Sequence, residues 1–345
     1  MRWAIIILNW NGWEDTLECL ASVWLQSFQQ FDVILIDNHS TDDSIKRILK
    51  WARAPYIPRS SVIEAHQQHP LPTRISVKEI SEKDRLNVPN DEAEPSLFLI
   101  RNPENLGFAR GSNIGIRIAQ QAGYSHVMLL NNDAVLAPQA LEFLSQAIKR
   151  YPEYAAYQAV IYHYHQPERI WNVGGRILPW GQTRYYRHAA SGDIRETQTI
   201  NGCALVLPMT TIQRVGLLSE QFFHGEEDFH YAMKLKRANL KACVVNKAIV
   251  YHKVSMSVSK QWAVRRQRLT NGALNRLIHF KQVYPPLVWN IWRMGTLVYY
   301  WGLLVLKYHQ PPGMSWRLIK AIGKKAKQLE RVTPEVVESI LTELQ

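Results

Sequence analysis

Only three cysteines, Cys19, Cys203 and Cys243, occur in 345 residues, and they stand far apart. No disulfide framework or zinc-ligand spacing can be assembled from them, which suits a reducing compartment. Two glycine fingerprints are missing as well. Asn9-Trp10-Asn11-Gly12 stands where a dinucleotide fold would carry G-x-G-x-x-G. No G-x-x-x-x-G-K-[ST] loop occurs, so a P-loop NTPase is excluded. The low-complexity signature of disorder is absent, and apolar residues reach 46%, enough for a proper core. The opening apolar run, Trp3 to Leu8, is too short for a signal-peptide core and lacks a cleavage site. It reads as the first strand of a protein expected in the cytoplasm.

Charge is present but uneven. The net charge is +12, and from Lys260 onward 14 Lys and Arg stand against 4 Glu, so +10 lies in the last quarter. A concentrated basic surface points to an anionic partner, nucleic acid or membrane. No nucleic-acid motif accompanies the charge, whereas Trp and Tyr interleave it, and these residues prefer a membrane interface. Pro285 to Leu306 carries five Trp and Tyr residues but also Asn290 and Arg293. It is therefore not expected to span a bilayer. Two readings stand for it: a helix lying in the interface, or one packed on the main domain.

The rest of the chain opens as a doubly wound sheet. Residues 3–8, 31–36, 96–101 and 127–130 are apolar runs, each ending in polar residues and followed by helical spacing. Residues 53–96, with six prolines, interrupt this as an expected insertion, part loop and part short strand pair. Gly123 is a suitable stop for the helix before the fourth strand. Residues 163–200, rich in Tyr, His, Trp and Gly, read as surface loops around a cleft. Short strands are expected at 242–245 and 249–251, and a basic helical region from 261 to 345 after a domain spanning 1–260.

Strand ends deliver Asp37 and Asn38, Asn105 with Asn113, and Asn131 with Asp133 to one edge of the sheet. Open α/β sheets bind ligands there, although Asn and Asp are also ordinary turn formers. Asp37 ends the second strand, as the acidic residue of a nucleotide-binding fold does. Without a glycine fingerprint, a diphosphate needs another neutraliser, and a divalent Mg²⁺ or Mn²⁺ on Asp133, with His252 as a nitrogen ligand, would serve. Glu226-Glu227-Asp228 opens a helix, where acidic residues favour the dipole. Alternatively, one of these carboxylates is a general base acting on a hydroxyl.

Seven segments in order carry a resemblance: Ile6-Ile-Leu-Asn-Trp-Asn-Gly12, Ile36-Asp-Asn-His-Ser-Thr-Asp42, Asn102-Pro-Glu-Asn-Leu-Gly-Phe-Ala109, Leu129-Leu-Asn-Asn-Asp133, Asn201-Gly-Cys-Ala204, Phe222-Phe-His-Gly-Glu-Glu-Asp228 and Tyr251-His252. Over residues 3–260, apart from the insertion, the chain resembles the family 2 glycosyltransferases, closest to their rhamnosyltransferase-like bacterial branch. The resemblance implies a GT-A fold: α/β, with a Rossmann-like, mostly parallel central sheet. It implies inverting transfer of a sugar from a UDP- or dTDP-sugar, dTDP-rhamnose among them, to a hydroxyl of a glycan or lipid-linked acceptor in surface polysaccharide synthesis. Asp37 would contact the base, with Asn9, Asn11, Asn38, Asn105, Gly107, Arg110, Asn113, Asn131 and Asn132 lining the donor site. The family's Asp-x-Asp reads Asn131-Asn132-Asp133, leaving one carboxylate for the metal beside His252. Asp228 takes the catalytic-base position, with Glu227 beside it, while His230 replaces the second acidic residue of that motif. Asn201, Gly202 and Cys203 would shape the acceptor pocket.

The rival expectation is a nucleotide-sugar or glycan-binding module that has lost catalysis, suggested by the Asn-Asn-Asp motif and His230. A peripheral position on the cytoplasmic face of the inner membrane, against an anionic lipid surface, is the expected setting for the basic C-terminal region.

Overall fold

The computed structural model describes residues 1–63, 70–81, 94–178, 180–254 and 262–343. The chain divides into two compact units: Met1–Leu218 with Tyr231–Ser255, and Ser219–His230 with Met256–Gln345.

The first unit holds the sheet. Trp3–Asn9 (β1), Phe31–Asp37 (β2), Ser76–Ile80 (β3), Ser96–Arg101 (β4) and His126–Asn131 (β5) form a parallel block in the order β3-β4-β2-β1-β5. Helices Trp13–Trp24 (α1), Ser44–Arg53 (α2) and Gly107–Gln121 (α3) alternate with them. Parallel strands covered on both faces require near-continuous apolar sequence, and β2 is buried at every position. Register then aligns the polar strand ends: Asn9 lies beside Asp37, and Leu8 beside Asn131. Gly123 adopts φ +76° after α3, as expected for a helix stop.

The second half of the sheet is mixed. Its elements are Ala134–Leu136 (β6), Ala140–Arg150 (α4), Ala156–His163 (β7), Gln166–Asn172 (β8), Gly175–Ile177 (β9), Thr183–Tyr185 (β10), Ile194–Thr197 (β11), Ala204–Pro208 (β12), Met209–Val215 (α5), Glu227–Arg237 (α6) and Ala242–His252 (β13). β12 lies antiparallel between β5 and β7, and β13 runs parallel to β7 while pairing antiparallel with β6 and β11. Two expectations are corrected. Residues 163–200 contain four strands rather than loops alone, and the two short strands after 242 are one strand with a register shift between Val245 and Ile249. Within the 53–96 insertion, β3 extends the parallel block, while 64–69 and 82–93 lie outside the described residues.

The second unit is helical: Trp262–Val283 (α7), Pro286–Gly302 (α8) running into a π turn at Leu303–Lys307, Pro312–Gln328 (α9) and Pro334–Thr342 (α10). Three of these helices begin at proline, whose fixed φ and missing N–H suit a first turn. Their inner faces meet in a core that includes Leu274, Leu277, Ile278, Leu297, Ile319 and Ile322.

Helix α3 approaches β1 closely because it presents glycine. A Cβ at Gly111 would lie 2.5 Å from Leu8 Cδ1, and one at Gly115 would lie 2.9 Å from Ile6 Cγ2. Gly115→Val should lower unfolding free energy by about 2 kcal/mol, since overpacking a close-packed core forces backbone shifts. Urea unfolding checks this; an unchanged midpoint would mean that the helix can move away from the sheet at little cost.

Candidate active site

The carboxyl edge of β1, β2 and β4 is a network of amides around one carboxylate. Asp37 accepts from Asn9 Nδ2 at 2.9 Å, from Ser40 Oγ at 2.6 Å and from Ser40 N at 3.0 Å. Asn11, in the left-handed region at φ +49°, accepts from Thr41 N at 2.7 Å, so the loop after β1 is tied to the loop after β2. Asn38 donates to Asn105 Oδ1 at 2.7 Å and accepts from Asn102 Nδ2 and Leu106 N, both at 3.1 Å. Asn105 also accepts from Gly107 N at 3.0 Å, which fixes the start of α3. Asn9, Asn11, Asp37, Asn38, Asn105 and Gly107 are thus one connected group, with most of their polar atoms already engaged.

Two further residues expected at this edge make other contacts. Asn113 is fully buried and exchanges two 3.0 Å hydrogen bonds with the Leu218 backbone, anchoring α3 to the chain after α5. Arg110 stands partly exposed, 3.9 Å from Glu104.

Beyond β5 lies a second cluster. β6 pairs with β13 so that His252 faces Ala134, and this brings the imidazole to the turn holding Asp133. His252 Nε2 is 2.9 Å from Asp133 Oδ1 and 3.3 Å from Asn131 Nδ2. Trp171 packs edge-on against the ring at 4.8 Å. Asn132 turns away to donate to Thr16 Oγ1 at 3.0 Å. Asn131 N donates to Cys203 O, and Cys203 N donates to Asn201 Oδ1, each at 3.0 Å, so the Asn201-Gly202-Cys203 turn abuts the same strand end. Gly202 faces Phe108, 3.3 Å from where a Cβ would stand. Burial disfavours a charged His252, but Cys203 and Asp133 outweigh it and raise its pKa to about 10.

The donor set can be tested against a divalent cation. Ligands held at about 2.1 Å and at right angles stand about 3 Å apart. Asp133 Oδ1 and His252 Nε2 stand at hydrogen-bonding distance, 2.9 Å, and the same spacing fits two adjacent corners of an octahedron once a cation displaces the imidazole proton. Among the described residues no group of three or more His, Cys, Asp or Glu converges on one point. A cation here would need further ligands from a bound diphosphate and water, as Mg²⁺ and Mn²⁺ commonly take them.

Sequence reasoning missed several neighbours. Lys253 bridges Asp15 and Glu18, each at 2.5 Å, and Tyr164 donates to Glu18 at 2.7 Å. Ser40 and Asn102 complete the amide network. Both lay inside or beside quoted motifs, whereas the Lys253 bridge joins residues 238 apart in sequence and left no local signal.

In the helical unit, the loop entering α6 is gripped by one face of α7. Asn271 and Asn275 donate to His224 O at 2.7 and 3.0 Å, and Asn275 donates to Gly225 O at 2.9 Å. Glu226, at φ +80°, is held by His279 Nδ1 at 2.8 Å and Arg276 Nε at 3.2 Å. Glu227 is buried, and its Oε2 has no hydrogen-bond partner among the described residues. Burial, reinforced by the charges of Asp228 and Glu226, pushes its carboxyl up to about 8. It therefore carries a proton at neutral pH and is poorly placed to accept another. Asp228 is less buried, and one of its oxygens accepts from Phe229 N at 2.8 Å.

The family model described as Glycosyl transferase family group 2 matches residues 126–322, and that for Glycosyl transferase family 2 matches residues 4–74. The chain belongs to glycosyl transferase family group 2. No curated protein matches this family 2 chain. Among solved structures it is similar to a mannosyltransferase from Pyrobaculum calidifontis in complex with GDP-Man and Mn²⁺ (16% identity, TM-score 0.50, 99% of this chain and 79% of that one). It is similar to S. aureus TarS 1-349 in complex with UDP-GlcNAc (13%, 0.52, 99% and 84%). A third is GalNAc-T7 with UDP, GalNAc and Mn²⁺ (12%, 0.56, 100% and 54%). At these identities the likeness is one of fold, and the family 2 chain has the expected GT-A architecture.

The buried Glu227 carboxyl sets a pH dependence. Its ordinary value is 4.5 and its folded value about 8, so unfolding releases a proton between these limits. The linked contribution is present at low pH and is lost as pH rises through that window. Glu227→Gln should shrink the fall in urea midpoint between pH 5 and pH 8. An equal fall in both proteins would contradict the protonated assignment.

Proposed function

We propose that this family 2 protein is an inverting, metal-dependent glycosyltransferase of the rhamnosyltransferase-like branch. The donor is a UDP- or dTDP-sugar, dTDP-rhamnose among the candidates. The acceptor is a hydroxyl of a glycan or lipid-linked saccharide, and the setting is surface polysaccharide synthesis at the cytoplasmic face of the inner membrane. The observation that carries the reading is the convergence of Asp133 and His252 at the sheet edge, at the spacing of two adjacent ligands of one cation.

The amide network around Asp37 offers the nucleoside a rigid polar edge, with Asp37 contacting the base and Asn11 and Asn105 beside it. Asp133 and His252 would hold a divalent cation against the diphosphate. That cation, when bound, supplies positive charge to the departing diphosphate. Asn131, 3.3 Å from His252 Nε2, lines the donor site beside it. Arg110 adds positive charge on the donor side, and Asn201, Gly202 and Cys203 shape the acceptor pocket. Asp228 is the base: it takes the proton of the acceptor hydroxyl as that oxygen bonds the anomeric carbon and the bond to the diphosphate oxygen breaks, with inversion at the carbon. Glu227 stands beside Asp228 among the catalytic residues, the pKa of its carboxyl raised by burial.

The rival reading, a binding module without catalysis, draws on the Asn131-Asn132-Asp133 sequence, which leaves one carboxylate where the family motif has two. Release of UDP or dTDP from a panel of nucleotide sugars, with and without Mn²⁺, separates the two. The proposal expects Mn²⁺-dependent consumption of one pyrimidine-diphosphate sugar. Asp228→Asn should reduce turnover by roughly 10²–10⁴-fold while leaving donor affinity unchanged. Binding without turnover in the wild-type protein would instead make it a module of the second kind.

A further inference from the structure

Helix α8 is apolar on two opposite faces. Trp289, Arg293 and Leu297, spaced four residues apart, point inward and are at most 7% exposed. On the other side Leu287, Ile291, Met294 and Val298, spaced four, three and four, are 74%, 68%, 51% and 56% exposed. A helix on a protein surface ordinarily turns charged residues outward, and one that is apolar all round is ordinarily covered. Here the single charged residue between Pro286 and Gly302 is Arg293, which is buried. Gly295 opens on the same outer side with nothing within 4 Å of where a Cβ would stand. The stripe continues to Leu306, which is 78% exposed. No helix among the described residues is long and apolar enough to cross a membrane, so an uncovered apolar face of this kind lies along a partner.

The chemistry around the stripe selects that partner. Exposed Lys307 closes the π turn that follows α8. On the neighbouring helix α9 the outward positions Trp316, Lys320, Lys324 and Lys327 form a second stripe, with Arg317 beside it. A second copy of the chain would bring two strongly basic segments together, and lysine is depleted in the cores of protein interfaces. A nucleic acid would satisfy the lysines but not the uncovered Leu287, Ile291 and Met294. An anionic lipid surface satisfies both: acyl chains for the apolar stripe, headgroup charge for the lysines, and the interfacial zone for Tyr299 and Trp316.

We propose that the outward face of α8, from Leu287 to Leu306, lies in the interface of an anionic bilayer, with the α9 lysines against the headgroups. The inference rests on exposure and charge within the helical unit and does not depend on the sugar-transfer reading. Its test is co-sedimentation of the full chain with phosphatidylcholine vesicles, with and without phosphatidylglycerol. Ile291→Glu/Val298→Glu and Lys320→Glu/Lys324→Glu alter exposed side chains only, and urea midpoints should confirm that both variants fold. The wild-type protein should bind the anionic vesicles preferentially, and each double variant should lower the partition coefficient by at least about tenfold. Variants that partition like the wild type would overturn the assignment, as would failure of the wild type to bind. A wild-type dimer in light scattering that the α8 variant dissociates would also overturn it, by giving the face to a second copy.

Discussion

The contact between Asp133 and His252 depends on more of the sheet than any other in the site. Asp133 sits in the turn just after a parallel strand, and His252 ends a strand from the mixed half. They meet because three-residue β6 folds back to pair with β13. The parallel block fixes where β5 stops, and the register of β13 against β7 fixes where His252 arrives. A one-residue slip in either would turn the side chain to the other face of the sheet. The amides after β1, β2 and β4 share this logic: each follows a buried run within a few residues, so the depth of the core decides where the edge lies.

Much of this was legible in the sequence because two signals coincide. Apolar runs such as Phe31–Ile36 give the strands, and the polar residues after them give the edge. The legible part fades where one signal is missing. β9 to β11 are only three or four residues long, and β8 opens on polar and charged residues with little alternation, so residues 163–200 looked like loops. β13 looked like two strands because Asn246 and Lys247 interrupt its apolar run, and the structure absorbs them as an irregularity against β7. The hydrogen bonds of Asn113 to the Leu218 backbone join residues 105 apart and left no local signal.

The helical unit shows the same limit. Asn271, Asn275 and His279 recur every four residues on α7, which in sequence reads only as a polar stripe. In the structure that stripe grips the loop before Asp228, and it holds Glu226 in a left-handed conformation that side chains other than glycine rarely adopt. Position and protonation there are set by long-range packing. For α8, sequence allowed either packing on protein or lying in a lipid interface. The helix has a face suited to each: Trp289 and Leu297 turn inward, while Leu287 and Ile291 remain uncovered.

The central claim is that the Asp133 edge of the sheet binds a pyrimidine nucleoside diphosphate through a divalent cation. Calorimetric titration with UDP, dTDP and GDP, each with and without Mn²⁺, addresses it directly, using wild-type protein and Asp133→Ala. The account predicts Mn²⁺-dependent binding of UDP or dTDP that the substitution abolishes. Binding of equal strength without Mn²⁺, or binding that survives in Asp133→Ala, would contradict it.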